Sequence, residues 1–541
     1  MTLSPISTFL AGAAILYLAR WVCIEINHWL FARKLGCKPA HVRRSKLPLG
    51  LDNVLRMAKA AKNQELQNDD QLVHQEMGCP STWVQNFLGF WCHTTVDPEN
   101  IKAILATQFK DFEMGPFRTD TLSPLLGHGI FTSNGKEWYI VNFDPLKRDV
   151  LLTFMFTRNQ ISSLELEEVH IQHLFGRFHH GADGSWTSPI DLGPLFFNLT
   201  LDSATEFLFG QSVDSQLLDS PNAAKATSSE HETKANRDSK DWSSFGRAFD
   251  RANTTISFKG MLMDFHFLYS PKSFTDDCNT VHRFADYFVQ QALNEEQEVS
   301  GSPDSKGETE AFVFLRELVK STKDPKALRG QLLNILLAGR DTTAGLLGWT
   351  FYLLARHPDY YSKFHRIIVE TFGPYSEHAS SLTFESLKAC SHLQNLLSEV
   401  LRLHPVVPEN SRRATRNTML PRGGGVDGNA PVYIRKGEEV IYNVNVMHRR
   451  KDIWGDDADE FRPQRWIGSK HGWEYLPFNG GPRICLGQQF ALTEAGFVVV
   501  RLLQRYSKIE NLDTETVTKH QYTLTTAPVK VLVRFCEAAQ L

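Results

Sequence analysis

The sequence predicts a mainly α-helical fold with small β-sheets, carried behind an N-terminal membrane anchor. Three observations predict it. Helically spaced apolar residues run through Leu328, Leu332, Leu333, Ile335, Leu336, Leu346, Leu347, Trp349, Phe351 and Leu354. Strand-like stretches are short, such as 432–434 and 439–442 around Lys436-Gly437. An uncharged apolar stretch opens the chain. Of 541 residues, 42% are hydrophobic, enough to build a large core, so wholesale disorder is excluded.

The anchor comes first. Residues 3–19 carry no charge, Arg20 interrupts, and Trp21, Val22, Cys23 and Ile24 continue the apolar character. A membrane span needs about 20 such residues. Arg33, Lys34, Arg43, Arg44 and Lys46 follow, and residues 26–51 hold no Asp or Glu. Basic flanks stay cytosolic, so residues 1–45 are expected to be anchor and basic flank, with 46–541 a single cytosolic domain. A cleaved signal peptide would carry positive charge before its apolar run, and residues 1–8 have no charged side chain. Residues 46–50 are expected to form a stiff hinge.

The long helix is bounded by Asp324, a suitable N-cap, with Pro325 at the first helical position, and by His357-Pro358. About 30 residues give roughly 45 Å, and such an apolar helix must cross the middle of a globule. Residues 383–404 predict a further helix stopped by Pro405, and 493–506 an amphipathic one. Residues 522–533 predict a hairpin with Pro528 near its turn. Residues 212–240 and 295–310 lack large apolar side chains and predict exposed loops.

Charge excludes one class. Lys plus Arg total 58 and Asp plus Glu 61, so no basic excess exists to hold nucleic acid. Eight cysteines are too few for a disulfide scaffold and show no zinc spacing. The glycine run at 423–428 is followed by no helix, and no GxGxxG opens a βαβ unit. Electrons for redox chemistry would therefore come from another protein.

The most informative segment is Phe478-Asn479-Gly480-Gly481-Pro482-Arg483-Ile484-Cys485-Leu486-Gly487. Glycines and proline force a tight turn that delivers Cys485 to a helix start, where free N–H groups favour a thiolate. One donating sulfur without a second nearby ligand suits the proximal face of a haem. Arg483 can reach a propionate, and Phe478 can shield the sulfur.

Mid-helix, Ala338-Gly339-Arg340-Asp341-Thr342-Thr343 carries a glycine costing about 1 kcal/mol relative to alanine. Gly345 and Gly348 follow within ten residues. That cost suggests close approach of a flat cofactor or a helix distortion. Asp341 and Thr342 set an acid beside a hydroxyl, a pair able to relay the protons that O–O cleavage needs. Glu399 and Arg402 share a helix face at i, i+3 among apolar neighbours, so the pair is expected to be buried and to need another partner. Arg465 is the candidate.

The cysteine segment matches F-x-x-G-x-R-x-C-x-G at every fixed position and resembles the haem-binding signature of the cytochromes P450. The strings PRGGGVDG (421–428), HRRKDIWGDDADEFRPQRW (448–466) and PFNGGPRICLGQQFALTE (477–494) resemble the family's fungal microsomal alkane- and fatty-acid-hydroxylating branch, as does 83–112. The resemblance implies haem b (iron protoporphyrin IX) with Cys485 as axial thiolate. Arg483, Phe478, Gly487, Ala338 and Gly339 would lie around it. Thr342 would sit over the distal face, Asp341 would feed protons, and Glu399, Arg402 and Arg465 would form a structural triad. It further implies O2, NADPH delivered through cytochrome P450 reductase, cytochrome b5 as a further donor, and a lipophilic alkyl substrate. The location implied is the endoplasmic reticulum membrane. The resemblance breaks at 139–154: Trp138 is present, but Asn142 stands where the family has a propionate-binding Arg, with Lys147 and Arg148 as substitutes. A haem-thiolate isomerase or dehydratase needing no external electrons, and a non-catalytic haem-binding paralogue, are the other readings.

Overall fold

Start and stop signals in the sequence set most element boundaries. A computed structural model describes residues 5–135, 138, 164–181, 184–218, 242–300, 314–376 and 382–538. Its larger helices are α1 (Pro5–Lys34), α2 (Leu51–Asn63), α3 (Leu66–Glu76), α4 (Pro116–Leu126), α5 (Glu165–Phe175) and α6 (Leu192–Phe209), then α7 (Ser243–Met261), α8 (Lys272–Ser300), α9 (Pro325–Arg356), α10 (Pro358–Phe372), α11 (Ser391–Leu403) and α12 (Gln488–Arg505). The strands are β1 (His41–Val42), β2 (Thr82–Phe87), β3 (Phe90–Thr95), β4 (Phe112–Glu113), β5 (Ile190–Asp191), β6 (Glu409–Ala414) and β7 (Thr418–Gly424), then β8 (Ala430–Ile434), β9 (Glu439–Asn443), β10 (Tyr506–Asn511), β11 (His520–Tyr522), β12 (Thr526–Pro528) and β13 (Leu532–Glu537). The largest sheet has the order β1-β2-β3-β9-β6-β4.

Helix α9 organises the interior. The Asp324 carboxylate accepts from Lys326 N–H at 3.0 Å, and Pro325 begins the helix as its missing N–H allows. Its first half buries Leu328, Leu332, Leu333 and Leu336 among α4, α7 and α8. Its second half buries residues from Ala344 to Ala355 among α6, α10, α11 and α12. Each fully buried leucine is worth about 2 kcal/mol. Between the two cores, Ala338, Gly339 and Thr342 remain only half-buried.

Two glycines of α9 serve the fold rather than a ligand. A Cβ on Gly345 would lie 2.7 Å from Thr526 O, and one on Gly348 would lie 3.0 Å from Pro528. They let hairpin β11–β12 cross the helix, and only Gly339 of the three faces open space.

Several expected boundaries shift. The 383–404 helix is two helices, Phe384–Ala389 with a Thr383–Ser386 capping box and then α11, because Cys390 turns extended at ψ 90°. The final hairpin turns at 523–525. Pro528 lies within β12, paired with His520, and β13 instead returns to β10. Residues 295–300 are helical, and Ser215–Leu218 forms a turn whose first two N–H groups donate to Asp202. The remainders of both expected loops, 219–240 and 301–310, lie outside the described residues. Residues 46–50 are packed down: Asp52 accepts from Ser45 Oγ and Lys46 N, and a Cβ on Gly50 would collide with Asn86 O.

The meander before the cysteine loop is held by Glu399, fully buried on α11. Its carboxylate accepts from Arg402 Nε and Nη2 (both 2.9 Å), Arg465 Nε (3.0 Å), Arg462 N (2.9 Å) and Trp466 Nε1 (3.0 Å). Arg402 also donates to the carbonyls of His448, Ala458 and Glu460. Burial alone would raise the Glu399 pKa, but the Arg402 hydrogen bonds and the other donors bring it below the ordinary carboxylate value. Glu399→Gln leaves the buried Arg402 guanidinium without a carboxylate and Arg465 with Asp457 alone. It should cost about 3–5 kcal/mol, read by chemical denaturation. With the folded pKa depressed, the Glu399 contribution is present above the unfolded carboxylate pKa and lost on acidification, so the gap between wild type and variant should narrow at low pH.

Candidate active site

The turn before α12 is built by close backbone approach. Gly481 has φ 66°, and a Cβ there would collide with Leu105 O, while a Cβ on Gly480 would lie 2.7 Å from Trp473. The N–H of Cys485 donates to Phe478 O at 2.9 Å and closes the loop. The Cys485 thiol keeps solvent-accessible surface, yet burial raises its pKa, opposed by the Gly487 N–H. Here the sequence expectation needs correcting. Gly487, which caps α12, supplies the amide that reaches the sulfur, and burial outweighs it, so the free thiol stays protonated and a bound metal must ionise it.

On α9, a Cβ on Gly339 would meet nothing within 4 Å. Thr342 Oγ1 donates to Ala338 O at 2.6 Å, the i−4 bond that bends helices. Asp341 is buried and turned the other way. Its Oδ1 accepts from Arg340 Nη1 at 3.0 Å and its Oδ2 from Asn253 Nδ2 at 3.4 Å. Arg340, buried against Phe197 and Phe249, also donates to Asp250 at 2.5 Å, whose side chain is 53% exposed. The polar chain Asp341–Arg340–Asp250 thus reaches solvent. Burial pushes the Asp341 carboxyl up to about 6 against the Arg340 charge.

Arg483 has no carboxylate partner among the described residues. Nη2 donates to Ser133 O at 2.9 Å, and the guanidinium lies 4.3 Å over the Trp138 ring. Burial and the charges of Arg412 and Arg118 push it down to about 9. Arg118 on α4 is lowered to about 10, first by burial and then by Arg412. Both Arg118 and Arg412 donate to Asn410 Oδ1, at 2.7 and 3.1 Å, and Arg118 Nε is buried without a partner. None of these three arginines makes an ion pair among the described residues, so the cluster fits a dianionic group such as two propionates. Accessible thiol, bare Gly339 face and unneutralised arginines together fit a haem.

Sequence reasoning found Arg483 but missed Arg118, Arg412, Arg340 and Trp466. Arg340 was legible as a charge inside an apolar helix. Arg118 and Arg412 are brought together only by the fold. Asn142 and the rest of 139–154 lie outside the described residues, so the expected break cannot be placed against the cluster.

An accessible cysteine on a glycine-proline turn, an unobstructed glycine on a buried helix and a cluster of unneutralised arginines are a set that suits a haem-thiolate protein. The family model described as Cytochrome P450 matches residues 50–535. A Fusarium sp protein named Cytochrome P450 monooxygenase g430 is 46% identical over 503 residues, covering 93% of this chain and 85% of that protein. Cytochrome P450 52A1 of Candida tropicalis is 44% identical over 445 residues, 81% and 77% of the two chains. The crystal structure of the cytochrome P450DA heme domain superposes with TM-score 0.69 at 19% identity, covering 93% and 97%. The chain belongs to the cytochrome P450 family. As a member it is a monooxygenase whose cofactor is haem with a cysteine thiolate ligand, its electrons coming from NADPH through a partner reductase.

Arg118→Met and Arg412→Met should each weaken haem retention about ten-fold or more, since each removes a charge-assisted contact. Haem titration into cofactor-depleted protein measures it. Unchanged affinity in both variants would remove the cluster from the site.

Proposed function

We propose that the protein hydroxylates long-chain alkyl substrates, fatty acids or n-alkanes, near the terminal carbon, with O2 and electrons from a reductase. The observation that carries the reading is the accessible but desolvated Cys485 just before α12, in a chain bearing the bare Gly339 face of α9. Similarity to Cytochrome P450 52A1 of Candida tropicalis, and the strings at 421–428 and 448–466, support the substrate class. Bound haem supplies the one-electron and O2 chemistry. In this reading Cys485 is the iron ligand, with the Gly487 N–H tuning its sulfur and Phe478 O fixing its loop. Arg483, Arg118 and Arg412 hold the propionates, and Ala338 and Gly339 let the cofactor approach α9. Thr342 holds a proton on the cavity side, and Asp341 is the acid that feeds protons, held in place by the permanently charged Arg340, whose second partner Asp250 is exposed to solvent. Glu399, Arg402 and Arg465 only position the loop.

Helix α1, with residues 9–34 long and apolar enough to cross a membrane, supports residues 1–45 as anchor, 46–541 as a cytosolic domain and an endoplasmic reticulum location. Cytochrome b5 is a second electron donor in this account. An isomerase or dehydratase would not need a solvent-connected acid beside the cavity, and the Asp341–Arg340–Asp250 chain favours the oxygenase.

Reconstitution with reductase and NADPH should oxidise fatty acids or alkanes near their ends, and substrate-induced spectral shifts should strengthen with chain length. Electron-independent turnover would overturn the reading. Asp341→Asn should lower turnover on the order of 10²-fold. Because the Asp341 pKa is raised to about 6, the donating acid is depleted as pH rises through that value. The wild-type rate should fall along that limb, and the Asn variant should lack it.

A further inference from the structure

Glu25 is the sole carboxylate in residues 1–51. It sits on α1, where carboxylates are costly beside lipid and call for a partner. It has one: Arg435 Nη1 and Nη2 donate to Glu25 Oε1 and Oε2 at 2.7 and 2.8 Å, a bidentate pair. One turn on, His28 Nδ1 is hydrogen-bonded to Tyr433 Oη at 2.7 Å, and the Phe31 ring lies 5.7 Å from the Tyr433 ring. Along α1, Glu25, His28 and Ala32, and Leu35 just past its end, are half-buried while most neighbours are exposed. That i, i+3, i+7, i+10 spacing is one helix face. It packs on the end of β8.

The exit from α1 is equally tied. Cys37 N–H donates to Ala32 O, and Gly36 has φ 69°, closing the helix end. Lys38 N–H then donates to Pro431 O at 2.9 Å, and Gly425 N–H to Pro39 O at 3.0 Å. His41 and Val42 pair with Trp83 and Val84. Only residues 35–37 separate the helix from backbone pairing with the body, so no free tether exists.

We propose that the last turns of α1 are a rigid mount that fixes the catalytic body on a lipid bilayer with the end of β8 at headgroup level. The proposal rests on reading α1 as a membrane anchor. The 9–34 stretch that is long and apolar enough to cross includes Glu25, so the body-bound last turns leave residues 5–24 to the hydrocarbon core, about 30 Å of helix, with Arg20 long enough to reach the interface. Glu25 then falls at the boundary, and Glu25 to Lys34 project about 15 Å beyond it. Arg33, Lys34, Lys38, Arg43, Arg44 and Lys46 follow just past the headgroups, a basic cluster that the surface potential of anionic lipids attracts. The mount sets which face of the body meets the membrane, and therefore the tilt of anything bound inside it.

The test uses full-length holoenzyme in oriented bilayers of phosphatidylcholine and phosphatidylserine, with the tilt of the haem read from polarised Soret absorption. Wild type should be strongly dichroic. Glu25→Ala combined with His28→Ala should lose dichroism toward the isotropic value, with an unchanged CO-difference spectrum. The reciprocal swap, Glu25→Arg with Arg435→Glu, should recover it. Inserting about six Gly/Ser residues after Gly36 should also abolish it without touching either contact. Wild-type dichroism retained in both the double-alanine and the insertion protein would overturn the mount. Wild type that fails to float with vesicles would instead overturn the anchor reading.

Discussion

One sulfur atom must face inward at the end of a loop, and the rest of the structure answers to that constraint. The Cys485 N–H to Phe478 O bond fixes the loop from within. Gly481, pressed against Leu105 O, fixes it from below, and no side chain could be added there. The meander that leads into it is set by Glu399, whose two oxygens collect five donors from Arg402, Arg462, Arg465 and Trp466. A carboxylate buried that completely is tolerable only because its charge and lone pairs are fully matched. The apolar halves of α9 are each locked in a separate core, leaving residues 338–342 to span the gap between them.

Electrostatics divides the two sides of that gap. Near the loop, Arg118, Arg412 and Arg483 repel one another and make no ion pair among the described residues, a costly arrangement in a protein interior unless an anion completes it. Behind α9, Asp341 is pulled in both directions. Burial favours its neutral form and Arg340 its charged one. A carboxyl balanced near 6 can hold or release a proton at neutral pH, which a surface aspartate or a fully ion-paired one does poorly.

The fold class was legible because its signals are local: Asp324-Pro325 and His357-Pro358 bracket α9, and the glycine-proline turn marks the cysteine loop. Where the sequence misled, a tertiary partner decided. Gly345 and Gly348 looked like concessions to a cofactor, but they make room for Thr526 and Pro528. Pro528 looked like a turn residue, but the turn is at 523–525. Arg118 and Arg412, 294 positions apart in the chain (412 minus 118), meet only because β6 lies next to α4, through Asn410. Residues 46–50 looked like a hinge, and they are instead fastened by Asp52 and Asn86.

The central claim is that the residue 485 sulfur is the axial ligand of a haem iron. X-ray absorption at the iron edge of purified holoenzyme measures this bond directly. The account predicts one sulfur in the first coordination shell of wild type and its loss in Cys485→His with haem still bound. A wild-type shell of nitrogen and oxygen alone, or an unchanged sulfur signal in the variant, would contradict it.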